Sequence, residues 1–310
     1  MNLRLHQLRA LVAVVDHGSI RRAARALHLS QAALTKSLRS LEEDTGVALL
    51  VRKSSGVLLT AAGQALLPRA KLIARQLDLA GDELRQSQDI GQGSVCVGLT
   101  PFLTLTVLGD AFKAFRKRYP LVQINILEGL VNRVAPALRN GSMDFAIVAS
   151  SGDVPAAEFA SEPWLSYPQT VVVRANHPVL NQLTVTGLAA LEWVLPGSPP
   201  AYSAHTTPAL SPLADMFGKA GHLPPAMVAR GDAMAAMALV RHSDVASIFP
   251  LPLLAQTESR GIVAVEVSGL SPEDVQLELL SVADVPLTPA GAYFARCLHD
   301  ASAWQSKSAP

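Results

Sequence analysis

Cysteine is nearly absent from this chain. There are two in 310 residues, Cys96 and Cys297, some two hundred positions apart. That excludes a disulfide framework and points to a reducing compartment. Cys96 falls in a strand-like run and Cys297 in a helix-like one, so both read as buried small hydrophobes. No stretch of about eighteen apolar residues occurs, which excludes a hydrophobic spanning helix. No N-terminal leader is visible, because Arg4, His6 and Arg9 interrupt the first segment. The expectation is a cytoplasmic protein, not a membrane one. Also missing are a GxSxG elbow, a Walker loop and a GxGxxG fingerprint. The eight histidines form no HExxH or ligand pair, so neither a metal centre nor a cofactor is implied. Gly91–Gln92–Gly93 reads as a turn and not a nucleotide loop.

Charge is present, and it is unevenly placed. The net value of +1 hides a basic end: residues 1–60 hold nine Lys/Arg against four Asp/Glu, and residues 61–310 hold seventeen against twenty-one. The first balance, +5, is a nucleic-acid footprint; the second, −4, would repel DNA. At 310 residues and 49% apolar content, two to three domains with real cores are expected.

Within the basic end, Ser19 to Thr45 reads SIRRAARALHLSQAALTKSLRSLEEDT. A preceding helix begins at Leu5, with Leu8, Leu11, Val12 and Val15 on one face. Gly18 stops it and Ser19 caps the next helix. Ile20, Ala23, Ala24 and Leu27 form that helix's buried side, leaving Arg21, Arg22 and Arg25 near phosphates. His28 and Leu29 turn the chain, and Ser30 caps a third helix. Leu34, Leu38 and Leu41 repeat at i, i+4, i+7 and face inward. Ala32, Thr35, Lys36 and Arg39 then face outward, with Gln31 at the N-terminal edge. This is a helix-turn-helix, whose second helix enters the major groove of double-stranded DNA. Gln can read adenine, Thr can touch a base edge or a thymine methyl, and Lys or Arg can reach guanine or phosphate. Gln31, Thr35 and Lys36 rank above Arg39 for readout. Residues 48–60, ALLVRKSSGVLLT, predict a hairpin with Gly56 in its turn. As a wing it brings Arg52 and Lys53 to the backbone, where contacts position more than they specify.

These residues resemble the N-terminal domain of LysR-type transcriptional regulators. AARALHLSQAALTKSLRSLEEDTGVALLVR and LTAAGQALLPRA are similar to that family's AA..L..SQ.A.S..I..LE..LG..LF.R and LT.AG..LL..A patterns. Many members carry proline where this chain has Ala32 or Ala33, which leaves the helix start less rigid. From Thr60 to about Asp89, Leu66, Ala70, Ile73, Leu77, Ala80 and Leu84 alternate spacings of four and three. That is a heptad seam for a long helix, with Pro68 near its start. The resemblance makes it a dimerising helix. A two-fold pair reads two half-sites. The resemblance further implies dimers pairing into a homotetramer, a small-molecule co-inducer, promoter DNA and RNA polymerase as partners.

GQGS (91–94) reads as a hinge. Beyond it, strands and helices alternate: strand 95–100, one helix from Pro101 to Pro120, strand 121–129, a helix ending at Gly141, strand 143–150. A second set runs from Gln169 through LEWVLP, Pro212–Ala220, AMVAR, Asp232–Val240 and VASIFP. A last strand, DVQLELLSV, precedes a helix from Pro289 to Trp304. Such alternation predicts parallel sheets. The predicted architecture is an α/β chain: a winged helix-turn-helix over 1–60, a linker helix over 61–90, and a two-subdomain region over 91–310. Subdomain I covers about 91–165 and 268–310, and subdomain II about 166–267. The chain crosses between them near Glu162–Tyr167 and near Val265–Leu270. This region resembles the LysR effector domain, whose fold is like that of periplasmic solute-binding proteins.

Ligands of open α/β sheets bind beyond the carboxyl ends of strands. Thr100, Pro101 and Phe102 follow the first strand, Gly129 the second, and Ser150 the third. Tyr202, Ser203 and His205 lie in a polar loop across the cleft, and Phe249 ends a late strand. Hydroxyls, an imidazole and two aromatics suit a small organic anion. The sequence thus predicts a ligand-responsive DNA-binding regulator and not an enzyme. The competing readings are an enzyme with a basic accessory domain, a transport solute-binding protein, and a redox sensor acting through Cys96 and Cys297.

Overall fold

The computed structural model describes residues 3–53, 56–87, 92–129, 131–150, 158–197 and 212–308. Its contacts form two units, Met1–Gly93 with Pro136–Asp144, and Ser94–Ala135 with Phe145–Pro310.

The first unit opens with three helices, α1 (Leu5–His17), α2 (Ile20–Ala26) and α3 (Gln31–Thr45). A two-stranded hairpin follows, β1 (Leu50–Lys53) and β2 (Gly56–Leu59), then the long helix α4 (Ala61–Ser87). The predicted caps hold. Gly18 takes φ 66° after α1, Ser19 accepts a hydrogen bond from the Arg22 N–H, and Ser30 accepts from Ala33 at 3.1 Å. His28 turns the chain at φ 53°. Leu8, Leu11, Val14, Ala23, Leu34, Leu38 and Leu41 close one core, with Ala70 of α4 buried among them. Gly56 is paired with Lys53 as a strand residue, so it is not the turn glycine the sequence suggested. The turn itself, residues 54 and 55, lies outside the described residues. At the hairpin's exit Thr60 donates to the Ala48 carbonyl at 2.7 Å and accepts from the Gly63 N–H at 3.0 Å. Gly63 then lies so close to the sheet that a Cβ there would sit 2.2 Å from the Leu49 carbonyl oxygen. Pro68 lies inside α4 without ending it.

The second unit is built on two mixed sheets. β3 (Gln92–Leu99) leads into α5 (Pro101–Thr106) and α6 (Leu108–Arg118). After these come β4 (Leu121–Glu128), α7 (Val131–Arg139), whose residues from Pro136 onward count with the first unit, β5 (Phe145–Ala149) and β6 (Phe159–Tyr167). The chain crosses at Pro168 into β7 (Gln169–Arg174), α8 (Val185–Ala189), β8 (Glu192–Pro196) and α9 (Pro212–Lys219). Next are β9 (Met227–Gly231), α10 (Ala233–His242), β10 (Val245–Pro250) and β11 (Ile262–Val265). The chain returns for β12 (Val275–Val282) and α11 (Pro289–Ser308). The strand orders are β4-β3-β5-β12-β6 and β11-β7-β10-β8-β9.

Several expectations need correction. Neither sheet is parallel throughout: β12 runs antiparallel to β5 and β6, and β7 antiparallel to β10 and β11. Only strands joined by a covering helix are held to the parallel direction, and no such helix leads into β7, β11 or β12. The expected single helix 101–120 breaks at Val107, where Thr104 and Thr106 turn their hydroxyls back onto the carbonyls of Thr100 and Phe102. Such back-bonding competes with the helix ladder. The first crossing is one residue, not the segment from Glu162, because β6 keeps pairing with β12 up to Tyr167. The supposed hinge is already strand from Gln92 onward, and Gly91 lies outside the described residues.

The second sheet is buried on both faces. Trp193, Leu195, Ala246 and Ile248 pack towards α8 and α9. Val194, Val245 and Phe249 pack on the other side with α10. This is why VVV and WVL read as unbroken apolar runs.

Candidate functional site

The basic face is assembled from the core outwards. With Leu34, Leu38 and Leu41 fully buried, helical geometry turns Gln31, Ala32, Lys36 and Arg39 to solvent, and all four are exposed. Thr35 is half-buried beside them, and Ser30 and Arg22 are exposed at the rim. Gln31, Ala32, Lys36 and Arg39 therefore lie on the outward side of α3, while Arg22 is exposed on α2 and donates from its Nε to the Ser19 hydroxyl at 3.3 Å. The Ser30 hydroxyl is already engaged as the cap of α3. Arg39 is tied to Glu43, four residues on, at 2.9 Å, which holds the guanidinium away from the first turns. Arg52 and Lys53 stand on β1, but their side chains lie outside the described ones.

The site also has residues that sequence reasoning passed over. Glu42 lies on the inner side of α3's last turn and accepts hydrogen bonds from the N–H groups of Leu49 and Leu50 at 2.8 and 3.1 Å. It joins α3 to the start of the hairpin. Gln7, fully buried, accepts from the Arg4 N–H and donates to Ser40 and Asp44 on α3. Nothing in the spacing of LHQLRALV marks Gln7 apart from its polarity and its place in the first turn of a helix.

In the second unit, three predicted residues gather at one sheet edge. Thr100 donates its N–H to Ile147, Gly129 donates to Leu99 at 2.7 Å, and Ser150 donates to Gln276 at 2.8 Å. A Cβ on Gly129 would lie 2.7 Å from the Leu99 carbonyl carbon, so only glycine lets the loop after β4 cross there. The Thr100 hydroxyl accepts from the Leu103 N–H at 3.4 Å, which makes it a helix cap. Pro101 takes the first position of α5. α5 in turn packs against α10 and the short turn Leu251–Ala255 that follows β10. The carboxyl edges of the two sheets thus meet.

Two aromatic expectations fare differently. Phe102 is 7% exposed and sets its ring edge-on to Tyr167, centroids 4.6 Å apart. Phe249 is 1% exposed and belongs to the core. Both are buried and present almost no surface to a ligand. Tyr202, Ser203 and His205 lie outside the described residues. Cavities of about 480 and 380 Å³ border α11 and share no residue with the strand ends named above. Among the described residues no three His, Cys, Asp or Glu side chains are grouped to hold a metal, and no helix is long and apolar enough to cross a membrane.

Residues 5–64 match the family described as bacterial regulatory helix-turn-helix protein, lysR family. Residues 88–303 match that described as LysR substrate binding domain. The chain is 30% identical over 294 residues to the SDS degradation transcriptional activation protein of a Pseudomonas species, covering 92% of each. It is 31% identical to the HTH-type transcriptional regulator TdcA of Escherichia coli over 183 residues, and that match spans only 59% of either chain. Among solved structures, full-length CbnR complexed with its target DNA is similar with a TM-score of 0.66 at 22% identity, covering 96% of this chain and 100% of that one. ArgP from Mycobacterium tuberculosis is similar with a TM-score of 0.68 at 20% identity, covering 97% and 98%. At these identities the structures speak to the fold.

Proposed function

The chain belongs to the LysR family of DNA-binding transcriptional regulators, and from that premise we propose how its parts divide the work. The helix α3 reads base edges through Gln31, Ala32, Thr35 and Lys36, with Arg39 next. Arg22, Ser30, Arg52 and Lys53 hold the phosphate backbone. The observation that carries this is the capped, outward face of α3 opposite its buried leucine ridge. The relatives are regulators and not enzymes.

The effector is a small organic anion. It enters the cleft where the carboxyl edges of the two sheets meet, touching Thr100, Pro101, Gly129 and Ser150 on one side and Tyr202, Ser203 and His205 on the other; Phe102 and Phe249 support the wall. Ligand favours one closure of the cleft. That closure changes how protomers pack and so the spacing of the DNA-binding pairs, which makes ligand and DNA binding reciprocal. The assembly is a homodimer through α4, pairing into a tetramer on promoter DNA in the cytoplasm, where RNA polymerase is its further partner.

Fluorescence anisotropy on a duplex enriched by the protein from a random pool tests this reading. Affinity falls steeply with salt, because each neutralised phosphate adds to the slope. Thr35→Ala lowers specific affinity about tenfold, within the ~1–3 kcal/mol typical of one base contact, and leaves scrambled duplex nearly untouched. A flat salt response, or equal losses on both duplexes, rejects it.

A further inference from the structure

Helix α3 ends against its own dipole. Glu42, Glu43 and Asp44 fill its last turn, which has no basic residue, although the carbonyl end of a helix disfavours negative charge. Each carboxylate has work elsewhere. Glu42 holds the wing amides and Glu43 holds Arg39. Asp44 accepts a hydrogen bond from the Gln7 amide nitrogen at 2.8 Å.

Gln7 is the unusual partner. It is 0% exposed, in a core otherwise made of leucine, valine and alanine. Both its amide nitrogen and its amide oxygen are engaged. The oxygen accepts from the Arg4 N–H at 2.9 Å, closing the first turn of α1. The nitrogen donates to the Ser40 hydroxyl at 3.0 Å and to Asp44. One side chain thereby ties the start of α1 to the far half of α3. Apolar packing is non-directional, so the ridge of Leu34, Leu38 and Leu41 resists rotation or sliding of α3 only weakly. Hydrogen bonds are directional, and buried polar contacts are best attested as setters of register. Base readout needs register: a binding constellation works within roughly 0.5 Å and 10–20° of its productive geometry.

We propose that Gln7 is a positioning residue for DNA recognition, its buried amide fixing the rotation and height of α3 through Ser40 and Asp44. The inference rests on the reading of α3 as the recognition helix. Gln7 touches no DNA, so its loss leaves phosphate contacts in place. It degrades discrimination between sequences and leaves overall attraction to the duplex unchanged.

The test uses the full chain, an enriched duplex selected by the unaltered protein, and a scrambled duplex. Gln7→Met keeps the length of the side chain and removes all three hydrogen bonds. Its ratio of specific to non-specific affinity is expected to fall about tenfold, the scale of one mismatched base pair, with the salt slope unchanged. Ser40→Ala removes one bond and lowers the same ratio about threefold, on that scale. A ratio within about twofold of the unaltered protein (small against that scale), or equal weakening on both duplexes, overturns the proposal. Should Gln7→Met fail to melt cooperatively, Ser40→Ala and Asp44→Asn decide by the same ratio. If the unaltered protein shows no preference for any duplex, it is the recognition-helix reading that falls.

Discussion

At the scale of single residues, burial decides what a side chain can do. Cys297 is 7% exposed, and burial pushes its thiol above the ordinary range. The reactive form is the thiolate, so native Cys297 should react with iodoacetamide at pH 8 at least about tenfold more slowly than in denatured protein. Fast labelling of the native thiol would restore the redox reading. The sign for stability follows. A thiol raised in the folded state favours folding below its unfolded pKa, and that contribution fades as pH rises through the folded value. Burial raises Tyr167 too, so the melting temperature should decline in the alkaline range. Cys297 was legible from its helix-like surroundings. Gln7 was not, because a polar residue among leucines looks the same in sequence whether it faces water or a partner helix.

At the scale of elements, most boundaries could be read because caps and periodicity are local. Ser19, Ser30 and Gly18 act within a few residues of themselves. Gly63 shows the limit. Its presence in LTAAG is plain, but the reason lies across space, in the Leu49 carbonyl that a Cβ would strike at 2.2 Å. Backbone cannot yield as a flexible side chain can. Gly63→Ala should therefore cost at least about 1–3 kcal/mol, the usual scale of overpacking, measured as a shifted urea midpoint of the helix-turn-helix transition. An unchanged midpoint would mean that α4 can pivot off the hairpin. The break at Val107 escaped prediction for a similar reason. Threonine hydroxyls can either face solvent or bond back onto the helix, and the sequence does not choose.

At the scale of the whole molecule, α4 divides its heptad seam. Leu66 and Ala70 pack on the helix-turn-helix core. Ile73 and Leu77 are each 47% exposed and Leu84 67%. A spaced apolar stripe of this kind calls for a partner helix. Leu77→Asp should shift sedimentation from dimer or larger species to monomer, while the melting of the single chain changes little; an unchanged oligomer would place the interface elsewhere. The sequence by itself determined the basic module with its capped helices, the long helix α4 and the alternation of strands and helices, since these follow from repeat spacing and local capping. Only the tertiary structure decided that the sheets are mixed, that Phe102 and Phe249 are buried, and that Gln7 and Glu42 anchor α3 through hydrogen bonds. Strand direction and the partner of a buried group depend on chain segments far apart in sequence, and periodicity carries no information about which distant segments meet.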